Sequence, residues 1–351
     1  MKNKTVKKIL AVALSTVMAA GMLAGCGSKD TQEQASEPAQ EESADTEAEE
    51  ETTEESAGEA GGETYKIGVI QYTQHDALDA SNEGFFAALD EMGISYEADQ
   101  QNAAGETASC QTISQTLVND QNDLIFAIGT PAAQAVAGVT SDIPIVLTAV
   151  TDPAESGLVE SNEAPGGNVT GTSDLTPVAE QIDLLKQILP DAKNVGILYC
   201  SAESNSEIQA SMAREACEEL GMTAEDYTVS SSNEIQTVVE SAIGKVDALY
   251  APTDNVIAAG MATVGMVASD NGIPVICGES GMVNEGGLAT YGIDYYELGY
   301  MAGQMAAEIL VDGKNPAEMP IEYLDADKCE LAVNEETAAA LQLDLSSLEE
   351  E

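Results

Sequence analysis

The sequence predicts an α/β protein whose body is two similar lobes, each an open parallel sheet with helices on both faces. Three observations predict it. From Tyr65 onward, short apolar β-type runs alternate with segments of helical spacing, the order that builds βαβ units. Four short segments of the first half recur, in the same order, in the second. Their offsets stay close together, at 128, 124, 130 and about 120 residues, which marks an internal duplication. The matched pairs are Ile67–Ile70 with Val195–Leu198, Asp123–Phe126 with Asp247–Tyr250, Ile143–Val146 with Ile273–Ile276, and Gly167–Gly171 with Gly287–Gly292.

The elements follow in order. Lys66–Tyr72 is a continuous apolar strand, as sheets buried on both faces require. A helix follows near Ala77–Met92, then a strand at Ser95–Gln101, a helix at Thr107–Asn119 and a strand at Asp123–Gly129. Pro131–Val139 is a helix with proline in its first turn, Ile143–Val150 a strand, and Val169–Ser173 another beyond a Gly/Pro loop. The second half repeats the plan. Its strands are Val195–Cys200, Asp226–Ser230, Ala248–Pro252, Pro274–Gly278 and Leu288–Ile293, and its helices Ser206–Leu220, Glu234–Ile243 and Val256–Ser269. A last helix spans Tyr296–Leu310. In such Rossmann-like lobes, ligands sit beyond the carboxyl ends of the strands. Two facing lobes enclose one cleft, and hinge closure is its natural motion.

The charge is zoned. The 351 residues hold 62 acids against 12 bases, a net of -50. Residues 1–26 carry four lysines and no acid; residues 27–64 carry fourteen acids and one lysine; residues 65–351 carry 48 acids and seven bases. So acidic a body repels phosphate backbones, which argues against a nucleic-acid partner. With one His, the chain cannot build a multi-histidine metal site; neither a metal nor a cofactor is expected. No G-x-S-x-G, G-x-G-x-x-G or P-loop pattern points to an enzyme.

Residues 1–25 read as an export signal: a basic start, then the apolar run Ile9–Leu23, too short to span a bilayer comfortably. It ends in Leu23-Ala24-Gly25-Cys26, which resembles a bacterial lipobox. Cys26 is then the diacylated first residue of the mature chain, and two acyl chains suffice for stable anchoring. Residues 26–64 form the anchor and an acidic tether with no aromatic or branched aliphatic side chain, unable to order itself. Its 38 residues after the cysteine reach roughly 35 Å as a random coil. The other cysteines, Cys110, Cys200, Cys217, Cys277 and Cys329, have no C-x-x-C spacing and read as small buried hydrophobes.

Several segments carry a family likeness: Gln71–Asp79, Gly129–Gln134, Val150–Pro153, Pro165–Asp174, Glu203–Ser206, Pro252–Asn255 and Gly292–Gly299. Through them the body resembles the substrate-binding lipoproteins of bacterial ABC importers, with the periplasmic-binding-protein-like I fold. The branch is that of the tryptophan and other aromatic-amino-acid receptors. The resemblance implies three crossings between lobes, near 172–175, 292–295 and 321–324. The first lobe is then 65–172 plus 295–320 and the second 173–294 plus 321–345, leaving 346–351 as a tail. It implies a monomer, anchored on the outer face of the cell membrane, that delivers a small solute to ABC permease subunits. An aromatic amino acid is the leading solute. A nucleoside, nucleobase or sugar-like ligand, or a role as surface sensor or adhesin, is the alternative.

An amino-acid zwitterion needs donors for its carboxylate and acceptors for its ammonium. The lone Arg214 lies mid-helix, so helix N-termini are the better anion sites, at Thr130 in one lobe and Asn205 in the other. For the ammonium, Asp254 is the first choice, with Asn255 beside it, then Asp294 and Asp152; Asp254 and Asp152 also fit a structural cap or Asx turn. Gln71, Thr73 and His75 follow the first strand and face the cleft. Thr148 and, more weakly, Glu279 lie past the fourth strands. Tyr72, Tyr199 and Tyr250 stand at strand ends, where they either stack on a ring or cover the sheet edge.

Overall fold

The computed structural model describes residues 63–324, 328–345 and 348. The export signal, Cys26 and nearly all of the tether lie outside the described residues. Thr64, assigned to the tether by composition, already opens the first strand.

The first lobe runs β1 (Thr64–Gln71), α1 (Asp76–Glu91), β2 (Ser95–Asn102), α2 (Thr107–Asn119), β3 (Leu124–Ile128), α3 (Thr130–Ala137), β4 (Ile145–Thr148) and β5 (Val169–Ser173). The second runs α4 (Val178–Ile188), β6 (Asn194–Cys200), α5 (Ser204–Glu219), β7 (Thr223–Val229), α6 (Ile235–Ala242) and β8 (Ala248–Ala251). It continues through α7 (Asn255–Ala259), α8 (Met261–Asp270), β9 (Val275–Cys277), α9 (Ser280–Asn284) and β10 (Ala289–Gly292). The chain then returns as α10 (Tyr295–Leu310) and β11 (Glu322–Tyr323), and crosses again to β12 (Glu330–Val333) and α11 (Glu335–Ala340).

The two sheets have the same order. The first is β11-β5-β4-β3-β1-β2, parallel throughout; the second is β12-β10-β9-β8-β6-β7, with only β12 antiparallel. Each order reverses once, between β1 and β3 and between β6 and β8, and these are the switch points where such sheets hold ligands. Both faces of the central strands are covered, which is why they read as unbroken apolar runs. In β6, Val195, Ile197 and Tyr199 join the core on one face while Leu198 and Cys200 join that on the other.

Some boundaries differ from the sequence expectation. The segment Val256–Ser269 is two helices, broken at Gly260, where the Ile235 side chain leaves no room for a Cβ. Residues 322–323, assigned to the second lobe, pair with Thr172 and Ser173 at the edge of the first sheet. Cys110, Cys200, Cys217 and Cys277 are buried and unpaired, and Cys329 is half-buried.

One contact matters for the site. Helices α1 and α10 touch backbone to backbone: a methyl on Gly84 would strike the Tyr296 carbonyl, and one on Gly299 the Ser81 carbonyl. This packing fixes the starts of both helices, which carry His75 and Tyr295.

Candidate functional site

The loops after β1, β3, β6 and β8 bring the switch points of the two lobes face to face. Among the described residues, three of the hydrogen bonds that join them are these. The His75 Nε2 lies 3.3 Å from Asn255 Oδ1; Gln134 Nε2 of α3 donates to Ser204 Oγ of α5 at 3.2 Å; and Gln209 Nε2 of α5 donates to Thr151 Oγ1, beyond β4, at 3.2 Å. The lobes are therefore closed on each other.

Between them is a narrow cavity. Its apolar lining is Leu78, Ala149, Ala258 and the ring of Tyr295. Its polar lining is His75, Asp174, Asn205, Thr253, Asp254, Asn255 and Glu279, with no Lys or Arg among the described residues. Ala149 holds a left-handed backbone, φ 54°, a strain of about 1–3 kcal/mol that tends to collect at binding sites.

The carboxyl groups are buried and raised. Burial pushes Asp174 up to about 6, against the pull of the Tyr295 hydroxyl, which donates to its Oδ2 at 2.8 Å. Burial pushes Glu279 up to about 7 against hydrogen bonds from the Gly281 and Met282 amides, with Asp76 and Asp174 adding to the rise. Asp254 in the lining and Glu203 behind it crowd each other, and burial raises both, Glu203 to about 8. His75 is shifted the other way: burial lowers it, so the imidazole is neutral.

The expected residues separate into two groups. His75, Asn205, Asp254, Asn255 and the more weakly expected Glu279 line the cavity. The others do not. Gln71 ends β1 but gives its amide to the Thr73 carbonyl and to Asp79, and Thr73 is buried beside it. Thr148 accepts from Thr172 within the first lobe. Asp152 closes an Asx turn, accepting from the Ala154 and Glu155 amides and from Asn162. Asp294 is exposed and caps α10 on the Tyr296 and Glu297 amides, facing a wider opening that Asp76, Glu279, Tyr295 and Lys328 also line. The helix starts also shift. Gly129 and Glu203, not Thr130 and Asn205, occupy the N-cap positions of α3 and α5.

Asp254 is a cap as well as a lining residue. Its Oδ1 accepts from the Ile257 amide, and its Oδ2 from the Cys200 amide and the Ser206 hydroxyl. None of the three nominated tyrosines reaches the cavity. Tyr72 donates to the Gly105 carbonyl, Tyr199 to Glu207 and Asp226, and Tyr250 to Gln181. The aromatic that does is Tyr295, the first residue of α10. Arg214 is held at the surface by Glu207 and Asp226, each at 2.8 Å. The main residue that sequence reasoning missed is Asp174. It directly follows the crossing strand β5, and that position was the available signal.

Comparison with known proteins bears on this geometry. The family model described as ABC transporter substrate binding protein matches residues 66–349. A curated tyrosine-binding protein of Clostridioides difficile strain R20291 is 38% identical over 341 residues, which is 96% of this chain and 93% of that protein. The structure resembles a Streptococcus pneumoniae ABC domain in complex with L-Trp at TM-score 0.79 and 36% identity, covering 82% of this chain and 98% of that one. It also resembles the ligand-free, open structure of a Clostridium difficile substrate-binding protein with adhesive properties. That match has TM-score 0.62 and 41% identity and covers 81% and 96%. The better superposition is on the less identical protein, the ligand-bound one, in keeping with lobes that are closed here. The chain thus belongs to the substrate-binding proteins of ABC transporters, which bind a small molecule outside the cytoplasm and deliver it to a permease.

Proposed function

We propose that the chain captures an aromatic amino acid (tyrosine, tryptophan or phenylalanine) by closing its lobes over it, and presents it to its permease. The observation that carries this reading is the chemistry of the cavity's unpartnered atoms. Asp174 Oδ1, Asn205 Oδ1 and His75 Nδ1 are buried without a protein partner, and all three residues line the cavity. The two oxygens accept only, as does a bare imidazole nitrogen. A wall of acceptors with no basic side chain suits a primary ammonium, and Asp174 supplies its counter-charge.

The carboxylate belongs at the first turn of α3. Gly129 there stands next to Asn255 and Leu78 of the lining, and Thr130 has a buried hydroxyl without a partner. The ring packs among Leu78, Ala149, Ala258 and Tyr295. The tyrosine-binding relative and the L-Trp complex support the same class.

A thermal-shift panel tests it. A ligand at 100 times its dissociation constant stabilises by about 2.7 kcal/mol. Tyrosine, tryptophan or phenylalanine should raise the melting temperature; a shift with nucleosides or sugars alone would sink the reading.

We place the protein as a monomer on the outer face of the membrane, held through acylated Cys26. Cys26→Ala should move it to the soluble fraction, and continued membrane retention would count against the anchor. The Clostridium difficile relative with adhesive properties favours a second role at the surface. Loss of host-cell attachment on deleting this protein alone would support that role.

A further inference from the structure

The chain has one histidine, His75, and it stands where the two switch points touch. Its Nε2 faces Asn255 Oδ1 of the other lobe at 3.3 Å. Asn255 in turn gives its Nδ2 to Glu203 Oε2 at 2.6 Å. Glu203 is 1% exposed and also accepts from Asn205 Nδ2 and the Val256 amide. Ligand capture as described above makes no use of Glu203, although burying a carboxyl group is costly.

Polarity runs through this row in one direction. A carboxylate only accepts, so Asn255 must turn its NH₂ toward Glu203 and its carbonyl toward His75. A carbonyl also only accepts, so the proton of the imidazole must sit on Nε2. Burial keeps the ring neutral, and a neutral imidazole has a single N–H. Nδ1 is then a bare acceptor, buried and without a protein partner, on a residue that lines the cavity.

We propose that Glu203 is a positioning residue for ligand capture. Acting through Asn255, it fixes the Nε2–H tautomer of His75, so that closure presents a bare imidazole nitrogen to an N–H donor of the ligand. This rests on the ammonium reading given above. Because the row spans both lobes, it is complete only when they close. Closure itself then sets the polarity of this corner, favouring a ligand with a donor there over one with an acceptor.

The row can be reversed at Glu203. Burial, and then Asp254, push this carboxyl up to about 8. Tyr72 and Cys200 are the other titratable groups that sense it, and Asp79 and Asp76 face His75. A proton on Glu203 makes it a donor, turns Asn255 round, and moves the imidazole proton to Nδ1. An ammonium in the cavity favours the ionised row, so binding and proton release from Glu203 promote each other.

The test is a long-range ¹⁵N–¹H spectrum, in which every imidazole signal is His75. It is recorded on the full chain without ligand and with saturating L-tyrosine or L-tryptophan, clearly above and clearly below the Glu203 value. The wild type should show Nε2–H above and a shift toward Nδ1–H below. Glu203→Gln should show one tautomer mixture at both pH values and bind either amino acid about tenfold more weakly. Asn255→Ala, which leaves Glu203 in place, should also abolish the pH response. A wild-type Nδ1–H tautomer above that value, or a Glu203→Gln protein with unchanged tautomer, pH response and affinity, would overturn the proposal. If neither amino acid binds, the ligand assignment falls. The row, which forms only on closure, then has no ligand to serve and the proposal falls with it.

Discussion

Two aspartates that look alike in the sequence behave differently in the fold. Asp254 and Asp174 both follow a strand and both line the cavity. Both oxygens of Asp254 are occupied by its own lobe, whereas Asp174 keeps one free. Asp174→Asn should therefore weaken amino-acid binding by about tenfold or more, the worth of a charge-assisted hydrogen bond, without lowering the melting temperature. Titration calorimetry and melting curves measure the two effects. Asp254→Ala should instead destabilise the fold by about 2–4 kcal/mol. It removes a helix cap and leaves the Cys200 amide and Ser206 hydroxyl unpaired, which urea unfolding would show. The sequence shows that an acid stands at a strand end. It does not show whether that acid is free, because the groups that occupy Asp254 lie 48 and 54 residues away. The same holds for Tyr72, Tyr199 and Tyr250, which end strands but find partners away from the cleft.

Among the elements, α1 and α10 do most to set the site. Their close approach at Gly84 and Gly299 holds His75 and Tyr295 in place. Gly299→Ala should force the helices apart and cost about 1–3 kcal/mol, with weaker ligand binding as a second consequence. A melting curve together with a binding isotherm tests both; a variant with wild-type stability would mean the helices have slack. Strands and long helices were legible because a sheet buried on both faces needs apolar runs, and an amphipathic helix needs its period. Shorter pieces were not. Helix α9 is five residues capped by Glu279, and Gly278-Glu279-Ser280-Gly281 reads equally well as a turn. Helix α4 has readable spacing in Val178, Ile182 and Leu185, but no counterpart in the first lobe, so the internal repeat does not announce it. Strands β11 and β12 are two and four residues long, and only pairing to β5 and β10 defines them.

At the scale of the molecule, the duplication legible in four short matches becomes two sheets of one order whose switch points face each other. The closed arrangement is not legible, because it depends on bonds such as Gln134 to Ser204 between residues with no pattern in common. Closure also collects carboxyl groups away from water, and this predicts a pH dependence. Asp174, Glu279 and Glu203 titrate at about 6, 7 and 8 in the folded chain, all above their ordinary values. The folded state then holds protons that the unfolded state has lost, so stability is full in acid and falls as pH rises through those values. Ligand-free protein should melt higher near pH ~5 than near pH ~8, by at least about 2–4 °C, the shift that 1 kcal/mol gives a chain of about this size. A flat profile would mean that the carboxyls are solvated, and an opposite slope that they are held ionised by partners.

If the closed cavity is an amino-acid site, Asp174 receives the ammonium. Titration calorimetry of L-tyrosine and L-tryptophan into the wild type and into Asp174→Asn tests it most directly. At least one of them should bind the wild type one-to-one, with a loss of about tenfold or more in the variant. No binding of either amino acid to the wild type, or equal affinity in the two proteins, would contradict it.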